Sequence, residues 1–455
     1  MNMFLRLLDL FPMKFTIHKH YRTLLFILGC VAPLTPYAQS LTLEEAIQLG
    51  LTNRSELKNA ALNIQLAERE NAKLKAGWLP QVTGSADVRW NTQLQTTILP
   101  FDITGRNPSG SSEVKFGLPF NNSIGIAAEQ KILSPQSKYD QQLNTTKVQT
   151  EQNFAEQQQI TIRQSVTEAY YLAVFNRERI RLAEYALRRT VGNLEIARTK
   201  EAAGTLLPND FKRVQLDQRN AELLLRKAIQ DRDLAIQELH YRMGVDQNTG
   251  YKPSQSLSDI LTDTLSIVAP DIMARKEIQA EELNFKIQEL SQQREKASRL
   301  PVLSVYGNYA ALQLSSKLNP FQSGTWFPFN YVGLRLSVPI FDGRRSRITE
   351  GDYKIRQQIS RNTQVQLAKD LGYEAQSALT TLMQARMDVE DTEANVDFAR
   401  ELVETDMFRY EKQVLTLTEL NTTLTTLQNA ESNYLNSVYS YLVALVRYRR
   451  AAGVL

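Results

Sequence analysis

Few of the residue types that carry enzymatic chemistry occur in this sequence. It has one cysteine, Cys30, and three histidines, at positions 18, 20 and 240. Cys30 and the first two histidines lie in an N-terminal segment that we expect to be removed from the mature chain. One histidine without cysteine supplies neither a His/Cys metal cluster nor a Cys–His nucleophile. P-loop, dinucleotide-binding and nucleophile-elbow motifs do not occur, and no pair of carboxylates stands out. We therefore expect no enzyme activity, cofactor or metal site.

Carboxylates are the remaining groups of chemical interest. Asp210 and Glu419 each follow a predicted turn and stand near the start of a predicted helix. Acidic residues are favoured at that position by the helix dipole, so helix capping is one interpretation of both. A further acidic series is interpreted as a solvated helix face: Asp388, Glu390, Asp391, Glu393, Asp397, Glu401, Glu404 and Asp406.

The overall charge argues against a nucleic-acid partner. The 455-residue chain has 53 basic and 49 acidic residues, a net charge of +4. Binding to a phosphate backbone requires a basic face, whereas here the two signs alternate along the chain. Such alternation is typical of solvated helix faces.

The N-terminus has the pattern of an export signal. Basic residues between positions 14 and 22 precede an apolar run at 24–34 and small residues that end at Ala38. This order is that of a secretory signal peptide, so residues 1–38 are predicted to be removed. Cys30 lies within the apolar run in a setting that loosely resembles a lipidation box, although Leu28 fits that box poorly. Plain cleavage is therefore favoured, with lipidation of Cys30 as the alternative.

An internal repeat organises the rest of the chain. Residues 54–80 align without a gap to residues 275–301, and each segment begins at an arginine and ends at Leu-Pro. Both segments are predicted to be helices that stop before the proline, because the residue before a proline is disfavoured in helical geometry. We expect one domain over 39–455, with repeats at about 41–250 and 260–455, each containing helix, strand, loop, strand, long helix, turn and helix.

Alternating segments predict strands in both repeats. After the signal, no apolar run approaches the ~20 residues that a membrane helix needs. Segments near 82–90, 124–132 and 331–340 instead alternate between apolar and polar residues, as barrel strands with lipid outside and water inside do. An ordinary half-buried sheet has the same period. Trp78, Trp90 and Trp326 lie in or beside these segments, and aromatic belts at membrane interfaces favour the barrel.

Two stretches predict unusually long helices. Residues 135–203 contain no proline after position 135, and a second such stretch runs from 345 to about 412. At ~1.5 Å per residue, each would make a rod of roughly 100 Å. The last predicted helix has the alternating three- and four-residue spacing of a coiled-coil seam. The seam consists of Leu417, Leu420, Leu424, Leu427, Glu431, Tyr434, Val438, Tyr441, Leu445 and Tyr448.

These segments resemble the TolC-like outer-membrane efflux family over nearly the whole mature chain. The opening motif is similar to LTLEEAI at 41–47, and the helix-to-strand joins are similar to the A-x-x-L-P segments at 76–80 and 297–301. VPIFDG at 338–343 closely resembles the strand-exit motif. Each motif alone is weakly specific, whereas their order, spacing and duplication together are specific.

The resemblance implies a mainly α-helical fold with membrane β-strands. A homotrimer would share one transmembrane β-barrel, to which each chain gives four strands, at 81–94, 113–132, 301–315 and 330–341. A long α-helical coiled-coil barrel would then cross the periplasm. The implied role is a gated, passive exit duct for small molecules in the outer membrane. Its partners would be a periplasmic adaptor protein and an inner-membrane pump.

The resemblance also implies roles for residues at the far end of the tunnel. The tip would consist of turns at 202–210 and 413–419, with Glu419 at the pore constriction. Gly204, Asp210, Tyr410 and Gln413 would form the tip and the adaptor-docking surface. Three symmetry-related carboxylates near a pore axis attract cations and repel one another, which would raise their pKa values and link gating to pH.

The tip departs from the family pattern at three positions. Gln413 replaces a glycine, Leu415 replaces an arginine latch found in some members, and Thr422 replaces a second acidic ring residue. The resemblance therefore leaves the latch in doubt. Two other functions stay open: an exit duct for type I protein secretion, and an exported coiled-coil structural protein without a pore.

Overall fold

The structure of the chain is a computed structural model that describes residues 40–100, 112–247, 249–262, 269–321 and 325–455. The expected signal segment, with Cys30, lies outside these residues. The elements are, in order, β1 (Ser40–Leu41), α1 (Leu43–Asn53), α2 (Ser55–Ala76), β2 (Gln81–Trp90), β3 (Thr96–Leu99), β4 (Ser112–Lys115), β5 (Phe120–Leu133), α3 (Pro135–Ala202), α4 (Pro208–Met243), β6 (Lys252–Pro253), α5 (Leu257–Thr262), α6 (Lys276–Ala297), β7 (Val302–Ser315), β8 (Trp326–Ser337), α7 (Arg345–Glu411) and α8 (Leu417–Ala451).

Two long helical hairpins dominate the structure. Helices α3 and α7 have 68 and 67 residues, which corresponds to about 100 Å each. Helix α3 packs along α4 and α7 packs along α8. The two long helices expected from the sequence are confirmed. All ten positions of the predicted α8 seam are buried or half-buried, so the heptad pattern located the packed face correctly.

Four strands form an antiparallel sheet in the order β2-β5-β7-β8. Strands β5 and β7 pair across the two halves of the chain, and β2 and β8 are the edges. The strand predicted at 113–132 is instead divided into β4 and β5, because Gly117 (φ +101°) and Pro119 interrupt it. The separate β3–β4 hairpin was not predicted. The last strand runs from Trp326 to Ser337 rather than over the expected 330–341. It ends before Pro339 because proline lacks a backbone donor.

The register places apolar side chains on one face of the sheet. The ladder pairs Ala86 with Ile124, Ile124 with Ala311, and Gly307 with Val332. The exposed apolar side chains on this face are Val82, Val88, Trp90, Ile124, Ile126, Tyr309, Val332, Leu334 and Leu336. The opposite face contains Asp87, Arg89, Glu129 and Arg335, but also the exposed aromatic residues Phe327, Phe329 and Tyr331 of β8. The predicted alternation of an apolar and a polar face is therefore confirmed for β2 and β5, whereas in β8 the second face is partly aromatic.

The main core lies where α1, α3, α4 and α8 meet, between the sheet and the helix tips. Tyr170, Leu239, Val438 and Leu442 are fully buried there. The Tyr170 hydroxyl donates to the carbonyl of Leu41 at 2.9 Å, which fixes β1 to α3. This core holds the two helical hairpins side by side. None of the described helices has both the length and the apolar composition of a membrane-spanning helix.

Two arginines that align in the sequence occupy matching places in the structure. Arg54 donates to the carbonyl of Tyr241 near the end of α4, at 3.1 Å. Arg275 donates to the carbonyl of Ala451 at the end of α8, at 3.4 Å. Each arginine also pairs with the glutamate two residues later in the chain. Both therefore donate to a carbonyl group in the last turn of a helix, where carbonyls lack partners farther along the helix.

Candidate functional site at the helix tips

The turns that end the two helical hairpins have matching backbones. Residues 203–207 join α3 to α4, and residues 412–416 join α7 to α8. Gly204 has φ +72° and Gln413 has φ +62°, both in the left-handed region. In each turn, the next residue donates its N–H five residues back, from Thr205 to Lys200 and from Val414 to Arg409, at 2.9 Å. This geometry closes the C-terminus of a helix and favours glycine.

The second turn has a complete capping box. The Thr416 hydroxyl accepts from the Glu419 N–H at 3.2 Å, and the Glu419 carboxylate accepts from the Thr416 N–H at 2.9 Å and from its hydroxyl at 2.7 Å. The backbone and side-chain bonds from Thr416 hold the pKa of Glu419 below its ordinary value. Within the single chain, capping bonds favour the ionised carboxylate. The expected rise in this pKa concerns three carboxylates around a shared axis and stays a prediction.

The first turn has no such box. Pro208 stands in the first turn of α4, and Leu207 at the cap position makes no side-chain hydrogen bond to the helix. Asp210 lies in the first turn and faces Arg213 at 3.8 Å. The helix dipole favours an acid here, but Asp210 is not used as a capping acceptor in the way that Glu419 is.

A contact between the two hairpins brings the turns together. Lys200 donates to the Tyr410 hydroxyl at 3.3 Å and lies 5.4 Å from the centre of its ring. One turn earlier in α7, Asp406 accepts from the Thr423 hydroxyl at 2.6 Å, which joins α7 to α8. Tyr410 therefore links the end of α3 to the end of α7.

The groove between α4 and α8 opens next to the tip. It encloses about 440 Å³ and is lined largely by polar groups, including Asp210, Arg213, Asp217, Asn421 and Thr425. Farther from the tip, Arg189 of α3 donates to the Leu424 carbonyl at 2.9 Å. The groove thus separates the two hairpins near their tips, where the bonds from Arg189 and Lys200 bridge them, whereas the apolar core joins them farther from the tips.

Glu431 is the one charged residue on the α8 seam. Its carboxylate lies 3.9 Å from Arg400 of α7, and burial raises its pKa despite the attraction of Arg400 and Arg189. An apolar residue would fill this position in a regular coiled coil. The seam is therefore weaker here than its apolar pattern suggests.

Sequence reasoning located the tip residues but missed some of their partners. Gly204, Asp210, Tyr410, Gln413 and Glu419 all lie at or beside the two turns, as expected. Lys200 and Thr416 were not singled out. The spacing of Thr416 and Glu419 is that of a capping box and was a usable signal, whereas no local pattern marks Lys200 as the partner of a residue in the other half.

Two of the three positions at which the sequence departs from the family pattern, Leu415 and Thr422, lie in and just after the second turn. Leu415 is half-buried within the second turn. The Thr422 hydroxyl donates to the Thr418 carbonyl one turn earlier in α8, at 3.0 Å. Across the described ranges, no three His, Cys, Asp or Glu side chains are grouped so that they hold a metal ion.

Solved structures of low sequence identity share this architecture. The chain is similar to the Campylobacter jejuni CmeC outer membrane channel (TM-score 0.68, 16% identity, 97% of this chain and 94% of that one). It is also similar to the open state of the Neisseria gonorrhoeae MtrE outer membrane channel (TM-score 0.69, 16% identity, 90% and 88%). The chain has a TolC-like fold. The outer membrane protein VceC from Vibrio cholerae is a third such structure (TM-score 0.66, 13% identity, 90% and 96%).

Comparison of sequences alone finds less. No family model matches the chain, and no curated protein sequence matches it. Because the sequence identities to the solved TolC-like structures are below a fifth, the likeness establishes the fold alone. A function has to follow from the chain's own residues.

Proposed function

We propose that the chain is one subunit of a trimeric, gated, passive exit duct in the outer membrane. The sheet would form part of the membrane barrel, and the helical hairpins would line a tunnel through the periplasm. The observation that carries the proposal is the four-stranded sheet with one apolar face and two unpaired edges. Lipid requires such edges to be closed, because an unpaired backbone group in hydrocarbon costs several kcal/mol.

The edges of the sheet suggest how copies of the chain would join. All neighbouring strands are antiparallel, and β2 and β8 each present one unpaired side. Pairing β8 of one copy with β2 of the next would continue the same pattern. Three copies would give twelve strands, an even number in the range found for membrane barrels.

The helices α2 and α6 support the same arrangement. Helix α6 packs between α3 and α7, whereas α2 contacts α3 and has no second long helix beside it. Leu62 and Leu66 of α2 are therefore exposed, as are Ile348 and Ile355 of α7. We infer that α7 of a neighbouring copy covers α2, in the way that α7 covers α6 within one chain.

A tandem duplication explains why the two halves match. The aligned arginines Arg54 and Arg275 have equivalent bonds at the ends of α4 and α8, and the two tip turns share one backbone geometry. We infer that the repeats at about 41–250 and 260–455 arose from one ancestral unit. Three such chains would place six similar hairpins around one axis.

The tip is the proposed constriction and docking surface. Glu419 would contribute one carboxylate per subunit to a ring at the pore, while Gly204, Asp210, Tyr410 and Gln413 would meet a periplasmic adaptor. The polar groove between α4 and α8 adjoins these residues and offers space beside them. An inner-membrane pump would supply the energy, because the sequence has no nucleotide-binding motif.

Single-channel conductance in planar bilayers tests the duct and the ring together. We expect discrete openings, with reduced cation selectivity in Glu419→Gln. Thr416→Ala is the matched control, because it disrupts the capping box and keeps the charge. Equal effects of both variants would reduce Glu419 to a helix cap. Protein that stays soluble without detergent and never inserts would overturn the channel and favour a coiled-coil scaffold.

A further inference from the structure

The junction between β8 and α7 combines exposed apolar and exposed basic side chains. Ile340 and Phe341 are 96% and 83% exposed, among the highest values of any large apolar residues described. They follow the end of β8 by a few residues. Arg344, Arg345 and Arg347 come next, and all three side chains are exposed. We call these five residues the basic junction.

The carboxylates nearest in sequence to the three arginines are bonded to other groups. Within the described part of the chain, none of their guanidinium groups forms an ion pair. The nearest acids in the sequence are already engaged. Asp342 accepts bonds from the N–H and hydroxyl of Ser346, which hold the pKa of this carboxyl low. Glu350 lies within ion-pair distance of Lys296, Arg299 and Lys354.

The backbone keeps the arginines at the end of the strand. Gly343 and Arg344 both have φ +68°, and helix α7 begins directly after them. A left-handed conformation is unfavourable for a residue other than glycine, so the position of Arg344 is set by the turn. The chain thus turns sharply from strand to helix within a few residues, and the apolar pair and the arginines stay close together.

The corresponding junction in the first half is different. Residues 132–139 read ILSPQSKY where residues 340–347 read IFDGRRSR. The apolar pair is kept as Ile132 and Leu133, both about half exposed. Lys138 is the one basic residue. The basic cluster therefore belongs to one junction and is not a general requirement for passing from strand to helix.

We propose that the basic junction binds the anionic headgroups of phospholipids in the leaflet that faces the helical tunnel. This inference rests on the proposed membrane location of the sheet. The apolar pair would enter the acyl region, and the arginines would lie at headgroup level. Cations beside an anionic surface each strengthen binding by roughly fivefold at low salt. Arginine also matches the geometry of a phosphate group with paired N–H donors.

The experiment compares full-length wild type with R344Q/R345Q/R347Q. Each detergent-purified protein is reconstituted into phosphatidylcholine vesicles with and without phosphatidylglycerol, and bound lipid is counted by native mass spectrometry after extraction. We expect wild type to retain phosphatidylglycerol and the variant to lose on the order of tenfold or more of that binding. A control with the same charge change on exposed residues of α4, R219Q/R226Q/K227Q, is expected to behave as wild type.

Further arms separate the possible occupants of the site. Equal retention of phosphatidylglycerol by wild type and the junction variant would overturn the proposal. Displacement of the lipid by inorganic phosphate at millimolar concentration would also overturn it, because a free-anion site would then explain the arginines. Ile340→Ser/Phe341→Ser is expected to weaken retention of both lipids, since it removes the apolar contact.

Insertion into vesicles is scored separately by flotation after washing in urea. Insertion without a preference for phosphatidylglycerol would support the duct and contradict the headgroup site. Arginine-dependent binding to anionic vesicles without insertion would keep the site and remove the duct. A protein that neither inserts into vesicles nor binds them would contradict both the duct and the headgroup site.

Discussion

The two tip turns share a backbone but differ in the side chains that stabilise them. The first has glycine at its left-handed position, Gly204, and the second has Gln413. The first lacks a side-chain cap, whereas Thr416 and Glu419 form a complete capping box in the second. Each turn therefore has one favourable feature that the other lacks.

This difference separates the conformation of the tip from its chemistry. The left-handed position requires only a residue that tolerates a positive φ. The cap requires only a side-chain oxygen that accepts a hydrogen bond. Glu419 serves the cap, while Asp210 faces Arg213 and remains at the edge of the groove. A carboxylate at the start of a tip helix is consequently not enough to identify a pore residue. The hydrogen bonds that the carboxylate makes within its own turn must first be excluded as the reason for its position.

The largest expected effect follows from the left-handed positions. Gly204→Ala should destabilise the first turn by about 1–2 kcal/mol, because a Cβ there is strained although the space is open. Gln413→Gly should stabilise the second turn by a similar or smaller amount. Hydrogen exchange of peptides spanning each turn measures both changes.

A glycine of the helix that precedes the first turn provides the control. Gly192 of α3 also has open space around it but an ordinary helical φ, so Gly192→Ala is expected to stabilise by about 1 kcal/mol. If Gly204→Ala and Gly192→Ala both speed or both slow hydrogen exchange, the positive φ of Gly204 is not what makes its substitution unfavourable.

The next effect concerns the cap. Thr416→Ala removes the acceptor for the Glu419 N–H and should cost about 1 kcal/mol, a roughly fivefold faster exchange at the start of α8. Thr418→Ala, two residues later and exposed, is the matched control and should change little. Unchanged exchange in Thr416→Ala would mean that the box does not stabilise the turn.

The smallest effect is the response to acid. Because its capping bonds lower the pKa of Glu419, this residue contributes stability above its unfolded value near 4.5. The contribution is lost as pH falls through the lower folded pKa. Glu419→Gln should therefore flatten the decline in melting temperature below about pH 4.5, compared with wild type. Asp210→Asn removes no capping bond and serves as the control; an identical flattening in both would contradict the role of the box.

The sequence predicted the long-range plan of the fold because that plan depends on periodicity. The seam of α8 and the two faces of the sheet follow from regular apolar spacing, and the rods of α3 and α7 follow from long stretches without proline. The ends of the strands were predicted less well. Proline and glycine near 117–119 and at 339 break the ladder locally, whereas the alternation of side chains continues through them.

The candidate site was predictable in place but not in detail. Its residues were identified by resemblance. The capping box is predictable from the sequence alone, because Thr416 precedes Glu419 by three residues. The bond from Lys200 to Tyr410 joins positions that are adjacent only after both hairpins have folded and packed. No local pattern encodes such a contact, because each residue is an ordinary solvent-facing residue within its own helix.

The pairing of β5 with β7 has a consequence for the order of folding. These strands lie on opposite sides of the whole segment from α3 to α6, yet they form the centre of the sheet. Each helical hairpin closes through a turn of a few residues, so it forms from contacts that are local by comparison and is expected to form sooner. We expect the chain to pass through an intermediate with folded helices and unpaired strands. In the proposed duct, such an intermediate would reach the membrane before its strands pair into a sheet.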